Sequence, residues 1–183
     1  MASLASHGAA PGGRVPVGDP SAVPVDLEKK EAYYLRMHLL IVKEVTTLLR
    51  TRFDLAVPPH QLHATLQNSN NMTTLKYTKK NNLINKTQWG LLFPQYHQPS
   101  SDTFDVTLLA CLLRNICGLK SKSRWWSETV NSNIPDNVVT EEADIARLRN
   151  LRNYMLHKQV ASLEQSEFGD MWDLAEKVRL YNL

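Results

Sequence analysis

Residues 102–118 read DTFDVTLLACLLRNICG, and this stretch decides the fold. Phe104, Val106, Leu108, Leu109, Leu112, Leu113 and Ile116 put apolar side chains around most of a helix's girth, which marks a central, buried helix. Asp102 is placed to cap its start and Gly118 to stop it. No segment alternates with period two, so the elements that bury this helix are read as helices too.

Toward the N-terminus, residues 67–82 are rich in Asn, Thr and Lys and carry few apolar anchors, so they read as a loop. Gln88-Trp89-Gly90-Leu91-Leu92-Phe93 brings apolar bulk and ends at Pro94. A short helical piece, His60 to Leu66, follows Pro58-Pro59. Before those prolines, Leu35, Leu39, Val42, Val45, Leu49 and Phe53 recur at spacings of three and four, the signature of a long amphipathic helix. Asp26 and Glu28 suit its positive end. Residues 1–24 are dominated by Gly, Pro, Ala and Ser and read as a disordered leader. Toward the C-terminus, Lys120 to Asn137 is irregular. Thr140 then caps a helix whose apolar stripe is Ile145, Leu148, Leu151, Met155 and Leu156. A last helix starts near Ser162 or Ser166 and carries Phe168, Trp172, Leu174, Val178 and Leu180. The expectation is an all-α domain over residues 25–183, an antiparallel bundle of four to five helices.

The 183 residues carry a net charge of only +3, which permits nucleic-acid binding without requiring it. Two cysteines, Cys111 and Cys117, are too few for a disulfide framework or a zinc site and read as apolar filler in one helix. No run approaches a membrane span, and the first residues lack the layout of a signal peptide. A cytoplasmic protein with no cofactor, no metal and no membrane contact is the expectation.

Arg152-Asn153-Tyr154-Met155-Leu156-His157 carries the chemistry. An imidazole moves protons near neutral pH, and a guanidinium holds a phosphate with paired donors. On a helix Asn153 and His157 share a face, with Arg149 one turn before Asn153. Arg152 and His157 stand about 140° apart around the axis, a gap that the long arginine arm partly closes. Arg147, Arg149 and Lys158 add charge for an RNA backbone. Metal-free RNA cleavage needs a base for the 2′-hydroxyl, an acid for the departing 5′-oxygen and positive charge on the phosphorane-like transition state. One histidine does not serve both proton transfers at once. Two copies across a two-fold axis would, so a homodimer is expected. The competing reading of the hexamer is a solvated polar helix face.

The segment Asp144-Ile145-Ala146-Arg147-Leu148, continued by Arg152-Asn153 and His157, resembles the signature of the HEPN superfamily. Residues 87–94 (TQWGLLFP) and 104–117 (FDVTLLACLLRNIC) are similar to the HEPN domain of the DAZ-interacting E3 ubiquitin ligase and of animal immune-type proteins. The likeness covers about Glu31 to Leu183. It implies a dimerising helical bundle, RNA as target and, in active members, metal-independent endonuclease activity, carried onto Arg152, Asn153 and His157 as catalytic residues. It equally implies a catalytically inactive interaction or RNA-binding module of a ubiquitin-ligase or innate-immune signalling protein. Lys158 stands where relatives carry a small residue after the histidine.

Four other features read as structural. Arg114-Asn115 has no histidine after it. His60 and His63 lack further metal ligands. Trp125-Trp126, beside Lys122 and Arg124, anchors a loop more readily than it stacks bases. Lys76, Lys79, Lys80 and Lys86 read as a solvated surface, although such lysines also meet phosphate backbones.

Overall fold

The structure is a computed structural model that describes residues 25–119 and 134–181. The leader, Trp125-Trp126 and most of the irregular segment 120–137 lie outside the described residues. Those that are described form eight α-helices and no strand. These are α1 (Val25–Leu39), α2 (Thr46–Ala56), α3 (Leu62–Gln67), α4 (Ser69–Lys80), α5 (Lys86–Leu92), α6 (Val106–Asn115), α7 (Glu141–His157) and α8 (Gln165–Tyr181). None is long and apolar enough to cross a membrane.

α1 and α2 make one continuous rod, joined by a π-helical stretch at Leu40–Val45. Its buried row is Met37, Ile41, Val45, Leu49 and Phe53, one residue in four. On a regular helix such a row drifts around the axis; the wider π turns keep it facing inward. Thr46 closes the wide turn, donating both its backbone N–H and its hydroxyl to the Ile41 carbonyl. The stripe expected from spacing therefore shifts phase: Leu35, Leu39 and Val42 are exposed, and only Val45, Leu49 and Phe53 of that set are buried.

α6 is the buried helix that its sequence predicts, with Val106, Leu108, Leu109, Ala110, Leu112 and Leu113 all inside. Its cap is Asp105, not Asp102: the Asp105 carboxylate accepts from the Leu108 N–H at 2.7 Å. Asp102 instead sits in a short 3-10 turn that Ser100 caps. Gly118, at φ 79°, supplies the left-handed residue just past the helix end. Thr140 caps α7 as expected, accepting from the Ala143 N–H. Ile145, Leu148, Leu151 and Met155 are buried, but Leu156 is exposed because the core-facing row ends at Met155.

Residues 69–80 are a helix rather than a loop. Asn68 caps it, and Thr73 and Thr74 donate back to the Ser69 and Asn70 carbonyls. Leu75 and Thr78 alone are buried on it, enough to hold it against the bundle. It packs on α3 and on α6. α5 follows with a capping box formed by Asn85 and Gln88.

α6 and α7 run antiparallel: Asp105 at the start of α6 meets Arg152 late in α7, and Cys117 lies beside Glu141. α7 and α8 are antiparallel as well, Tyr154 meeting Glu167 while Arg147 shares a cavity with Leu174. α1 lies parallel to α8, with Lys30 on Glu164 and Tyr33 stacked on Phe168.

Candidate functional site

A cleft of roughly 390 Å³ opens between α6, α7 and the turn that follows α4. α7 gives it Arg149, Asn153 and His157, which stand four apart and share one face. α6 gives Thr107, Ala110, Cys111 and Arg114 from a single face, with Asn115 at its end. Asn82 and Leu83 form the rim. Asn82 holds φ at 58°, the left-handed conformation that asparagine tolerates better than most residues. Two guanidiniums, three amides and one imidazole thus converge, and no carboxylate lines the cleft among the described residues. That donor set recognises anions.

His157 is the last residue of α7 and is exposed, and among the described residues its ring makes no hydrogen bond. Asn153 and Arg149 are half-buried beside it. Asn115 donates to the Cys111 carbonyl at 2.7 Å, which fixes its amide against the cleft floor. Burial pushes the Cys111 thiol above its usual range, against the Asn115 hydrogen bond and the pull of Arg114 and Arg149.

Arg152 departs from its expected place. It does not line the cleft; its guanidinium turns to the Asp105 carboxylate at 3.4 Å and to the Asn153 amide oxygen at 3.2 Å. A guanidinium only donates, so the Asn153 oxygen is taken and its NH2 is the end left open. Asp105 also accepts from Gln88 at 3.1 Å. Arg152 thereby belongs to a polar joint between α5, α6 and α7 and positions Asn153.

Arg147 departs further. It is buried, paired with Asp144 at 2.6 Å, and it donates to the Pro135 carbonyl at 2.7 Å on the α8 side of α7. A guanidinium so enclosed does not contact an RNA backbone. Lys158 is held by Glu167 at 2.8 Å and lies over the Tyr154 ring, so it ties α7 to α8 instead of facing the cleft. The Glu167 carboxylate raises the Lys158 ammonium and the Tyr154 phenol above their usual ranges, in each case chiefly through its hydrogen bond.

Arg114 and Asn115, read from sequence as structural, stand on the cleft wall opposite His157. Thr107, Cys111, Arg114 and Asn115 recur at spacings of three and four on an otherwise apolar helix, and that polar break is the signal that marks them. Cys117 lies beyond the end of α6, apart from Cys111, and burial pushes its thiol up to about 11. His60 and His63 are exposed and bond the side chains of Gln61 and Gln67. No group of three or more potential metal ligands occurs among the described residues.

No curated protein and no solved structure matches the chain. The description "DZIP3/hRUL138-like HEPN" matches residues 59–179, a span that takes in α3 to α7, most of α8 and every residue of the cleft. The chain belongs to the DZIP3/hRUL138-like HEPN family.

Proposed function

We propose that the cleft takes an RNA phosphodiester and that a homodimer cleaves it without a metal ion, the two His157 rings sharing one phosphate. The observation that supports this is the cleft's composition: an exposed imidazole, an amide with open N–H groups and two guanidiniums, with no lining carboxylate. Arg149 and Arg114 hold the non-bridging oxygens, and Asn153 donates to the phosphate. One His157 takes the proton of the 2′-hydroxyl as the 2′-oxygen bonds to phosphorus. The other, protonated, gives its proton to the 5′-oxygen as the phosphorus–oxygen bond breaks. The products are a 2′,3′-cyclic phosphate and a 5′-hydroxyl. Arg152 acts through Asn153 and is a positioning residue.

One observation favours a second reading. Arg152, the arginine of the family-like motif, is engaged with Asp105 outside the cleft. In that reading the domain binds RNA or pairs protomers without cutting, within a ubiquitin-ligase or immune signalling protein. End-labelled RNA incubated with the chain in a chelator separates the two. Cleavage to cyclic-phosphate ends, lost at least ~100-fold in His157→Ala with RNA affinity retained, supports the nuclease. No cleavage, but RNA binding that Arg149→Ala and Arg114→Ala weaken, leaves the idle module. Binding indifferent to both arginines removes RNA from the cleft, and with it the nuclease and the RNA-binding form of the second reading.

A further inference from the structure

From Leu55 to Ser101 the chain contains no aspartate or glutamate, and its lysines there are Lys76, Lys79, Lys80 and Lys86. Three of the four lie on the last turns of α4. Leu75 and Thr78 face the core. At 100° per residue, Lys76, Tyr77 and Lys80 fall within about 100° of one another on the opposite, exposed side. Lys79 is engaged, its ammonium 4.2 Å from the centre of the Trp89 ring. Lys76 and Lys80 make no ion pair among the described residues, whereas Lys30, Lys158 and Lys177 each hold a carboxylate. Beside them Tyr77 presents its ring to solvent at 67% exposure. α4 ends at Lys80, and Asn82 and Leu83 are already the rim of the cleft. The strip therefore leads to the site.

We infer that Lys76, Tyr77 and Lys80 form an extension of the cleft that binds the adjoining nucleotides of RNA as a single strand. This rests on the RNA reading of the cleft. Two mobile ammonium groups match a backbone of repeated phosphates read without regard to sequence. An exposed tyrosine ring beside them offers a stacking platform, which an unpaired base uses and a base inside a duplex does not. An acidic protein segment would be drawn by the same lysines but would gain little from the ring.

The test uses two probes on the 183-residue chain. A labelled 12-nucleotide single strand, followed by fluorescence anisotropy across a salt series, reads the cleft and the strip together. A dinucleotide, followed through the His157 ring protons by NMR, reads the cleft alone. Lys76→Ala with Lys80→Ala is expected to weaken the 12-mer and to flatten the slope of log affinity against log salt by about 1.4, some 0.7 per lost phosphate contact. Dinucleotide binding stays unchanged. Tyr77→Ala costs the 12-mer roughly tenfold, and Tyr77→Phe restores it. An unchanged 12-mer slope in the double variant overturns the strip, and if Arg149→Ala still abolishes dinucleotide binding the cleft reading survives. A duplex that loses as much as the single strand on Tyr77→Ala overturns the single-strand assignment. If the unmodified chain binds neither probe, both the strip and the cleft reading fall.

Discussion

Asp105→Ala removes three interactions at one stroke. The first is the cap on the Leu108 N–H that starts the buried helix, worth about 1 kcal/mol. The second is the acceptor for the Gln88 amide. Gln88 is buried, and a donor left unsatisfied there costs about 1–3 kcal/mol. The third is the contact with Arg152. Both partners are partly exposed, 25% and 46%, which holds that contribution under about 1 kcal/mol. The loss is about 2–4 kcal/mol, with Gln88 the deciding part, or roughly 4–16 °C in Tm for a domain of this size. Asp105→Asn keeps a capping oxygen and an acceptor, and Arg152→Ala touches only the ion pair and Asn153, so each costs about 1 kcal/mol or less. Urea and thermal melts followed by circular dichroism give the order directly. Arg152→Ala as destabilising as Asp105→Ala would refute this account, because it would make the guanidinium, not the buried amide, the group that holds the joint.

Arg147→Ala leaves Asp144 buried without its guanidinium and costs about 3–5 kcal/mol, while Arg147→Met combined with Asp144→Leu removes both charges and costs far less; thermal melts check the difference, and RNA affinity of the folded double variant stays unchanged. Burial raises the Cys117 thiol to about 11, above its unfolded value of 9.0. The protonated form is favoured in the fold, so that contribution to stability is full below pH 9 and is lost as pH rises through 11; Cys117→Ala flattens the alkaline limb of a stability-versus-pH curve. For the same reason, alkylation of Cys117 at pH 8 runs far slower than that of a free thiol. Asn82 holds a left-handed backbone, so Asn82→Gly is near neutral and Asn82→Ala costs about 1 kcal/mol in denaturant unfolding.

Elements whose residues agree at every level were legible. α6 is apolar nearly all round, and α7 carries a cap, an acidic first turn and an apolar stripe, so both could be placed from local pattern alone. α4 was not, because Asn and Thr favour loops and caps by local hydrogen bonding; here the threonine hydroxyls bond back to the helix, and two inward residues suffice. The phase of the first rod was missed because a π stretch changes the residues per turn, which spacing rules take as fixed. Within the site, Asn153, His157 and Arg149 were legible as neighbours on one face. The turn of Arg152 away from them was not, since Asp105 lies 47 residues back and only the α6–α7 packing brings it near. The burial of Arg147 is hidden from the sequence for a similar reason: the Pro135 carbonyl that it meets comes from outside the helix.

The division of labour along α7 explains why assembly would carry the chemistry. Arg149 and Asn153 are half-buried, and their surroundings are fixed by α6 and by the Arg152–Asp105 joint. Rigid donors of that kind suit charge that develops in place, since they need no reorganisation when it appears. Proton transfer asks for something different, a group that meets both oxygens of the reacting bond, and one ring on one helix end does not reach both. His157 stands at the exposed last position of α7, the end of the cleft where the proposed second copy would approach. On the proposed mechanism the chain would bind its anion as a monomer and become a catalyst only by pairing. Dilution below the dimer dissociation constant would then abolish cleavage while leaving the cleft's affinity for a dinucleotide intact. Cleavage per subunit that is independent of concentration across that range would mean that a single His157 suffices, and the two-ring mechanism would be wrong.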